Sequence, residues 1–261
     1  MLRRIIAVPA LLLAVMSLHA TAARAQDNYE IQVYGAETVP AGATMFELHS
    51  NYTLTGRRDV EDGMLPTKHA LHETLEITHG MTPWFEVGFY AFTSARAGDG
   101  WQWVGDHIRP RVGIPDDWHW PVGASLSMEV GYQRPEFSED TWSVELRPII
   151  DKQVGRWYAS FNPTLERSLR GANAAKGFEF SPNAAVTADI TPVVNLGLEY
   201  YGALGPLGHI DPGAVQEHQL FGAVNLNVSP VWEINFGVGA GLTRPTEHRI
   251  VKLILGRRVG G

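Results

Sequence analysis

The feature that most constrains this chain is a two-residue alternation that recurs along nearly all of its length, in unusually long runs. In the segment 122–132, Val122, Ala124, Leu126, Met128, Val130 and Tyr132 fall on one side. Gly123, Ser125, Ser127, Glu129 and Gly131 fall on the other. Successive side chains of a strand point to opposite faces, so such a run presents one apolar and one polar surface. The same reading applies to 141–150, where Trp142, Val144, Leu146 and Ile150 oppose Ser143, Glu145 and Arg147, and to 157–166 and 231–242. No convincing helical stripe competes with it. Twelve strands are expected, near 44–54, 68–79, 84–95, 101–113, 122–133, 141–152, 157–167, 176–188, 193–203, 217–227, 231–242 and 248–258. Globular strands average about 5–6 residues. Most of these are about twice that, close to the roughly 9–11 tilted residues that cross a bilayer core.

The connections carry a second signal. "MTPWFEVGFYAF", "ITPVVNLGLEYYG" and "VSPVWEINFGVGAG" each place a Thr-Pro or Ser-Pro ahead of an alternating run. Proline supplies the fixed φ of a tight turn and cannot sit at the centre of a ladder, so these are turns that launch strands. The even-to-odd connections are mostly short in this way. Many odd-to-even ones are long and polar, as in "GRRDVEDGMLPTK" and "GPLGHIDPGAVQE". Short turns at one end and long loops at the other are the habit of outer-membrane barrels, with the turns periplasmic. The expected fold is therefore all-β, a 12-stranded antiparallel up-and-down transmembrane barrel over 44–261, with both termini periplasmic. Aromatic residues near strand ends, among them Trp84, Trp101, Trp103, Trp118, Trp120, Trp142, Trp157 and Trp232, suit interfacial girdles.

The first residues read as a leader. Arg3 and Arg4 precede an apolar run, 5–16, and Ala23-Arg24-Ala25 offers a small-x-small cleavage site, so residues 1–25 are expected to be a cleaved signal peptide. Removing them takes out three arginines and no acid, and leaves 18 basic and 28 acidic residues. That balance argues against a nucleic-acid partner, which needs clustered Lys and Arg. No cysteine is present, which excludes disulfides and thiol chemistry. No later stretch of 18 apolar residues could form a spanning helix. The segment 26–43, with "YEIQVYG", is open to three readings: an extra strand, a periplasmic extension or a plug at the barrel mouth. An ordered periplasmic segment is the one expected.

Two local features sit badly with a regular barrel. Glu73 shares a face with Leu71, Leu75 and Ile77, and a bulge would re-phase it. Pro148, Pro163 and Pro182 fall inside strands, where local bulges are again the expectation.

The stretches "THGMTPWFEVGFY" (78–90) and "GLTRPTEHRIVKLILGRR" (241–258), with the Thr/Ser-Pro turns between, resemble the bacterial outer-membrane proteins grouped as the MetA-pathway of phenol degradation family. The resemblance covers most of the chain. It implies a porin-like outer-membrane β-barrel of the Gram-negative envelope, acting as a channel for small solutes, aromatic compounds among them. Barrels of this class end in an aromatic residue read by the barrel-assembly machinery. This chain ends "RRVGG", a departure that bears on its assembly.

The phases of the strands name a candidate lumen lining: Glu47 and His49; His72 and Glu76; Glu86; His107, Arg109 and Arg111; Glu129; Glu145 and Arg147; and Glu233. Asn51, Glu199 and Lys252 belong to the same face. Charges in a narrow lumen must pair or stay hydrated, so the arginines are expected to bridge several glutamates. Such pairs either brace the barrel or form a selective lining. Twelve strands lie between the eight that side chains fill and the sixteen that leave an aqueous channel.

Enzyme signatures are lacking. His49 and Ser50 are adjacent and so point to opposite faces, and no G-x-S-x-G occurs. His69 and His79 would lie about 33 Å apart on one strand, with His72 on the other face, which is no metal set. No catalytic residue, metal or cofactor is expected. The expected partners are the outer-membrane bilayer, a small-molecule solute and the assembly machinery. The competing reading is a closed structural or adhesive barrel whose extracellular loops carry the function.

Overall fold

The computed structural model describes residues 29–261, and the expected leader over 1–25 lies outside the described residues. Twelve strands follow one another: β1 (Thr44–Thr55), β2 (Leu71–Thr82), β3 (Phe85–Arg96), β4 (Gly100–Gly113), β5 (Gly123–Gln133), β6 (Asp140–Val154), β7 (Trp157–Gly171), β8 (Glu179–Asp189), β9 (Val194–Ala203), β10 (Glu217–Leu226), β11 (Trp232–Gly241) and β12 (Arg249–Val259). Each pairs antiparallel with its sequence neighbours, and β12 pairs with β1, so the sheet closes into a barrel without edges. Every strand end lies within four residues of its sequence expectation. The β1–β2 connection spans 56–70, whereas β2–β3 and β6–β7 need only 83–84 and 155–156. The β3–β4 connection, 97–99, is short although it belongs to the long-loop end. No helix among the described residues is long and apolar enough to cross a membrane, which says nothing of strands.

The barrel is inverted relative to a soluble one. Along β1, Glu47, His49, Asn51 and Thr53 are buried while Phe46, Leu48, Tyr52 and Leu54 are exposed. Among the described residues, buried polar side chains outnumber buried apolar ones. Leu48, Phe89, Ile108, Leu126, Phe236 and Leu253 form part of an outer apolar belt, each between 40% and 51% exposed. All eight tryptophans are exposed near strand ends, Trp84, Trp118, Trp120, Trp157 and Trp232 at the short-turn end and Trp101, Trp103 and Trp142 at the other.

Two expectations about strand irregularity are corrected. The β1–β2 and β2–β3 registers run unbroken through Glu73, so no bulge re-phases it. Glu73 stays on the outer face, where Ser50 Oγ of β1 donates to its carboxylate at 2.7 Å. The prolines also produce no bulge. Pro163 and Pro182 stand directly opposite each other in β7–β8, and Pro148 faces Leu126 in β5–β6. In β6–β7 the pairing lapses between Leu146↔Leu165 and Ile150↔Phe161 and resumes in the same register. A proline removes one donor from a ladder; the pairs on either side hold the register across the gap.

The segment before β1 is ordered, and its described part lies inside the barrel. Residues 29–41 run through the barrel interior as an extended strap and pair with no strand. Side chains of the wall satisfy its backbone instead. Asn51 Nδ2 and Thr74 Oγ1 donate to the Tyr29 carbonyl, at 3.2 and 2.7 Å. Lys252 Nζ donates to the Ile31 carbonyl at 2.9 Å. The Tyr34 amide donates to Asn162 Oδ1 at 2.8 Å, and the Tyr34 carbonyl accepts from Ser160 Oγ and Asn162 Nδ2 at 2.6 and 3.0 Å. The Ala36 and Val39 amides donate to Asp151 and Glu86, at 2.7 and 2.6 Å. Buried amides need partners, and a polar wall supplies them without a ladder. The strap leaves over Gly80, where a Cβ would lie 2.2 Å from the Val39 carbonyl oxygen.

Candidate functional site

The lumen is the site, and the strap divides it. At the level of Tyr34 a layer of charged side chains surrounds the strap. Arg109 Nη2 donates to Glu76 Oε1 at 2.7 Å and lies 3.4 Å from Glu86 Oε1. Arg111 Nε reaches the same Glu86 oxygen at 2.7 Å, and its Nη atoms donate to the strap carbonyls of Gly35 and Glu37, at 3.1 and 2.5 Å. Arg147 Nε pairs with Glu145 at 2.7 Å. The Tyr34 ring lies between the Arg109 and Arg147 guanidinium groups, 4.8 and 4.7 Å from its centroid, the geometry of a cation–π stack. On the opposite wall Lys252 pairs with Glu199 beneath Ile31, which packs with Tyr201, Phe221 and Ile250. The strap is thus clamped at its charged and its apolar positions alike.

All twelve residues named from the sequence face inward. Glu47, His49, His72, Glu76, Glu86, Arg109, Arg111, Glu129 and Arg147 are buried, and His107, Glu145 and Glu233 are half-buried against cavities. They fall into separate groups. Glu76, Glu86, Arg109 and Arg111 form one ion-pair chain, His107 pairs with Glu129, and Glu145 pairs with Arg147. His72 stands apart, edge-on to Tyr29 at 4.7 Å. The strap's own contributors, Tyr29, Glu30, Gln32 and Tyr34, were not among them. Their only sequence signal is the alternation of "YEIQVYG", which does not distinguish a strand from a strap. Burial pushes the Glu30 carboxyl well above the usual carboxylate range. Glu129 adds to that rise, and Arg147 partly opposes it.

The spaces left on the two sides of the strap are unequal. At the short-turn end a cavity of about 640 Å³ opens, lined by Glu47, Glu76, Glu233, Asn195, Asn225 and Trp232 among others. On the long-loop side cavities of about 50 and 20 Å³ remain beside Glu30 and Tyr29. Here the loops tie to one another. The Leu65 amide donates to the Glu136 carbonyl at 2.8 Å, Thr67 Oγ1 bonds Glu247, and Phe137 packs on the Tyr29–Tyr90–Phe92 cluster.

A closed twelve-strand barrel, apolar outside and polar inside, with an interior strap, defines the class to which the chain belongs structurally. Its structural neighbours are outer-membrane channels. An outer membrane channel from Pseudomonas putida F1 superposes with a TM-score of 0.57 at 12% identity, covering 88% of this chain and 100% of that one. The KdgM porin superposes with a TM-score of 0.52 at 7% identity, covering 82% and 98%. At such identities the likeness is one of fold. No family model matches the chain, so the MetA-pathway resemblance rests on its quoted motifs alone, and no curated protein matches either.

Proposed function

We propose that this chain is an outer-membrane channel for small solutes, placed with its apolar belt in the bilayer, both termini periplasmic, and closed at rest by its own N-terminal strap. The observation that carries this reading is the large polar cavity that ends at the strap and not at a wall of the barrel. What blocks passage is a segment held by side-chain hydrogen bonds, which can release without unzipping any strand pair. The outer belt and the tryptophans at both ends support the bilayer placement, since lipid-facing strands are apolar with aromatic girdles. Export would use the 1–25 leader, and insertion would use the barrel-assembly machinery. The vestibule carries Glu37, Glu47, Glu76, Glu86, Asp189, Glu199 and Glu233 against Arg109, Arg111 and Arg258, so cations and neutral solutes, aromatic ones included, are the favoured cargo. The reading assigns no catalytic step.

One observation favours the competing reading. The occupied waist and tied loops suit a closed structural barrel whose loops act outside. Conductance in a planar bilayer separates the two. The channel reading expects discrete steps with cation preference, rare for the full mature chain and frequent once 26–43 is deleted. A folded, heat-modifiable barrel that stays silent in both forms would overturn it in favour of the structural reading.

A further inference from the structure

The vestibule floor holds a row of carboxylates that the ion-pair network leaves unbalanced. Glu76 on β2, Glu47 on β1, Gly256 on β12 and Glu233 on β11 stand side by side in register. Gly256 creates the space between the last two acids: a Cβ there would come within 2.9 Å of Glu47 Cγ and 3.1 Å of Glu233 Cβ. Glu47 and Glu233 thus flank a position that carries no side chain. Of the arginines and lysines nearby, Arg109 pairs with Glu76 and Glu86, Arg111 with Glu86 and Lys252 with Glu199, while Arg258 lines the same cavity and forms no salt bridge among the described residues. Glu47 and Glu233 form no salt bridge among the described residues, and Glu233 Oε1 accepts a hydrogen bond from Gln32 Nε2 of the strap at 3.0 Å.

His49 completes the group. It is fully buried, two residues beyond Glu47 on the same face of β1, and neither ring nitrogen has a hydrogen-bond partner. Its Nε2 is 3.5 Å from Glu76 Oε2, too far for a good hydrogen bond. Apart from that ion-pair contact the oxygen accepts no hydrogen bond, because Arg109 and Thr78 both bond the other one, Oε1. One ligand atom each from Glu47, His49 and Glu76 lie within 4.8 Å of one another. Metal–ligand bonds of about 2.0–2.2 Å need these atoms to close by only about 1 Å. Buried polar atoms are normally satisfied; here they converge from two strands beside an open cavity.

We infer that Glu47, His49 and Glu76 form a binding site for a divalent transition-metal ion, with Glu233 as the charge partner and the vestibule as its entry path. An imidazole nitrogen among carboxylates selects an ion of the Zn²⁺, Ni²⁺ or Cu²⁺ type over Ca²⁺ or Mg²⁺, which take all-oxygen shells. Two positive charges match the unpaired Glu47 and Glu233, and three protein ligands leave a coordination position open to the cavity. The site is independent of whether the barrel conducts.

The test uses the full mature chain, folded in detergent, stripped with a chelator and titrated with ZnCl₂ by calorimetry. One Zn²⁺ per chain is expected, with affinity at least tenfold weaker in Glu47→Gln and in His49→Gln and unchanged in His209→Ala, a loop histidine. Heat modifiability checks that each variant is folded. Should a variant misfold, crystals of the wild-type barrel soaked in Zn²⁺ answer instead, with an anomalous peak expected between Glu47, His49 and Glu76. No stoichiometric binding, binding indifferent to both substitutions, or a peak only at surface histidines would overturn the assignment.

Discussion

The two ends of the lumen are built from the same twelve strands and yet differ in almost everything else. The short-turn end is an open, acidic vestibule of about 640 Å³. The long-loop end is packed down to cavities of about 50 and 20 Å³, under loops that bond one another. The barrel wall cannot account for the difference, since its alternation is uniform. It comes from the strap and loops, which fill one end and leave the other. A twelve-strand barrel has room to spare beyond what its own side chains fill, and this chain spends that room unevenly.

The largest effect expected is from deleting 26–43. It should join the two ends and raise single-channel conductance several-fold, and an unchanged trace would mean that wall side chains and loops close the pore without the strap. Next comes Arg109→Met. It strands Glu76 in a buried layer while Glu86 keeps Arg111, and breaking such a pair from one side costs about 3–5 kcal/mol. Urea midpoints of the folded barrel should fall accordingly, and a loss within error would show that the layer is hydrated and the ends already communicate. Gly80→Ala should be milder. The added methyl meets the Val39 and Pro40 carbonyl oxygens where the strap leaves the barrel, and overpacking of this kind costs about 1–3 kcal/mol. Proteolysis of the strap should accelerate while the barrel itself resists; equal protection in both proteins would remove the strap exit as a tight contact.

The smallest effect is a pH dependence. Because the Glu30 carboxyl is held above its ordinary range in the docked strap, the docked state prefers it protonated. Its contribution is fully present below the ordinary carboxyl range and is lost as pH rises through the raised value. Channel opening of the full chain should therefore increase with pH across that interval, and Glu30→Gln should flatten the profile. A profile identical in the variant would assign the dependence to other groups.

Strand number, position and the inward set were readable because a pleat turns sequence parity directly into facing: Glu47 and His49 are inside for the same reason that Phe46 and Leu48 are outside. Two local readings failed for a related reason. Glu73 and Pro148 looked like breaks in the pattern, but register belongs to pairs of strands, and the intact pairs on either side absorb a single misfit. The strap lay beyond parity altogether. "YEIQVYG" alternates like a strand, and nothing local reveals that its hydrogen bonds go to Asn51, Ser160, Asn162 and Lys252, up to 221 positions away.

The sequence by itself determined a barrel with a polar inside and an apolar outside: the two-residue period separates the faces, and the apolar faces of twelve long runs are too much to pack into one interior. Tertiary structure decided what the interior does. The path of the strap, the choice of which carboxylates receive an arginine, and the meeting of Glu47, His49 and Glu76 beside Glu233 across the gap at Gly256 all depend on which strands neighbour one another around a closed wall. Those are distances between residues far apart in the chain, and no periodicity along one strand encodes them.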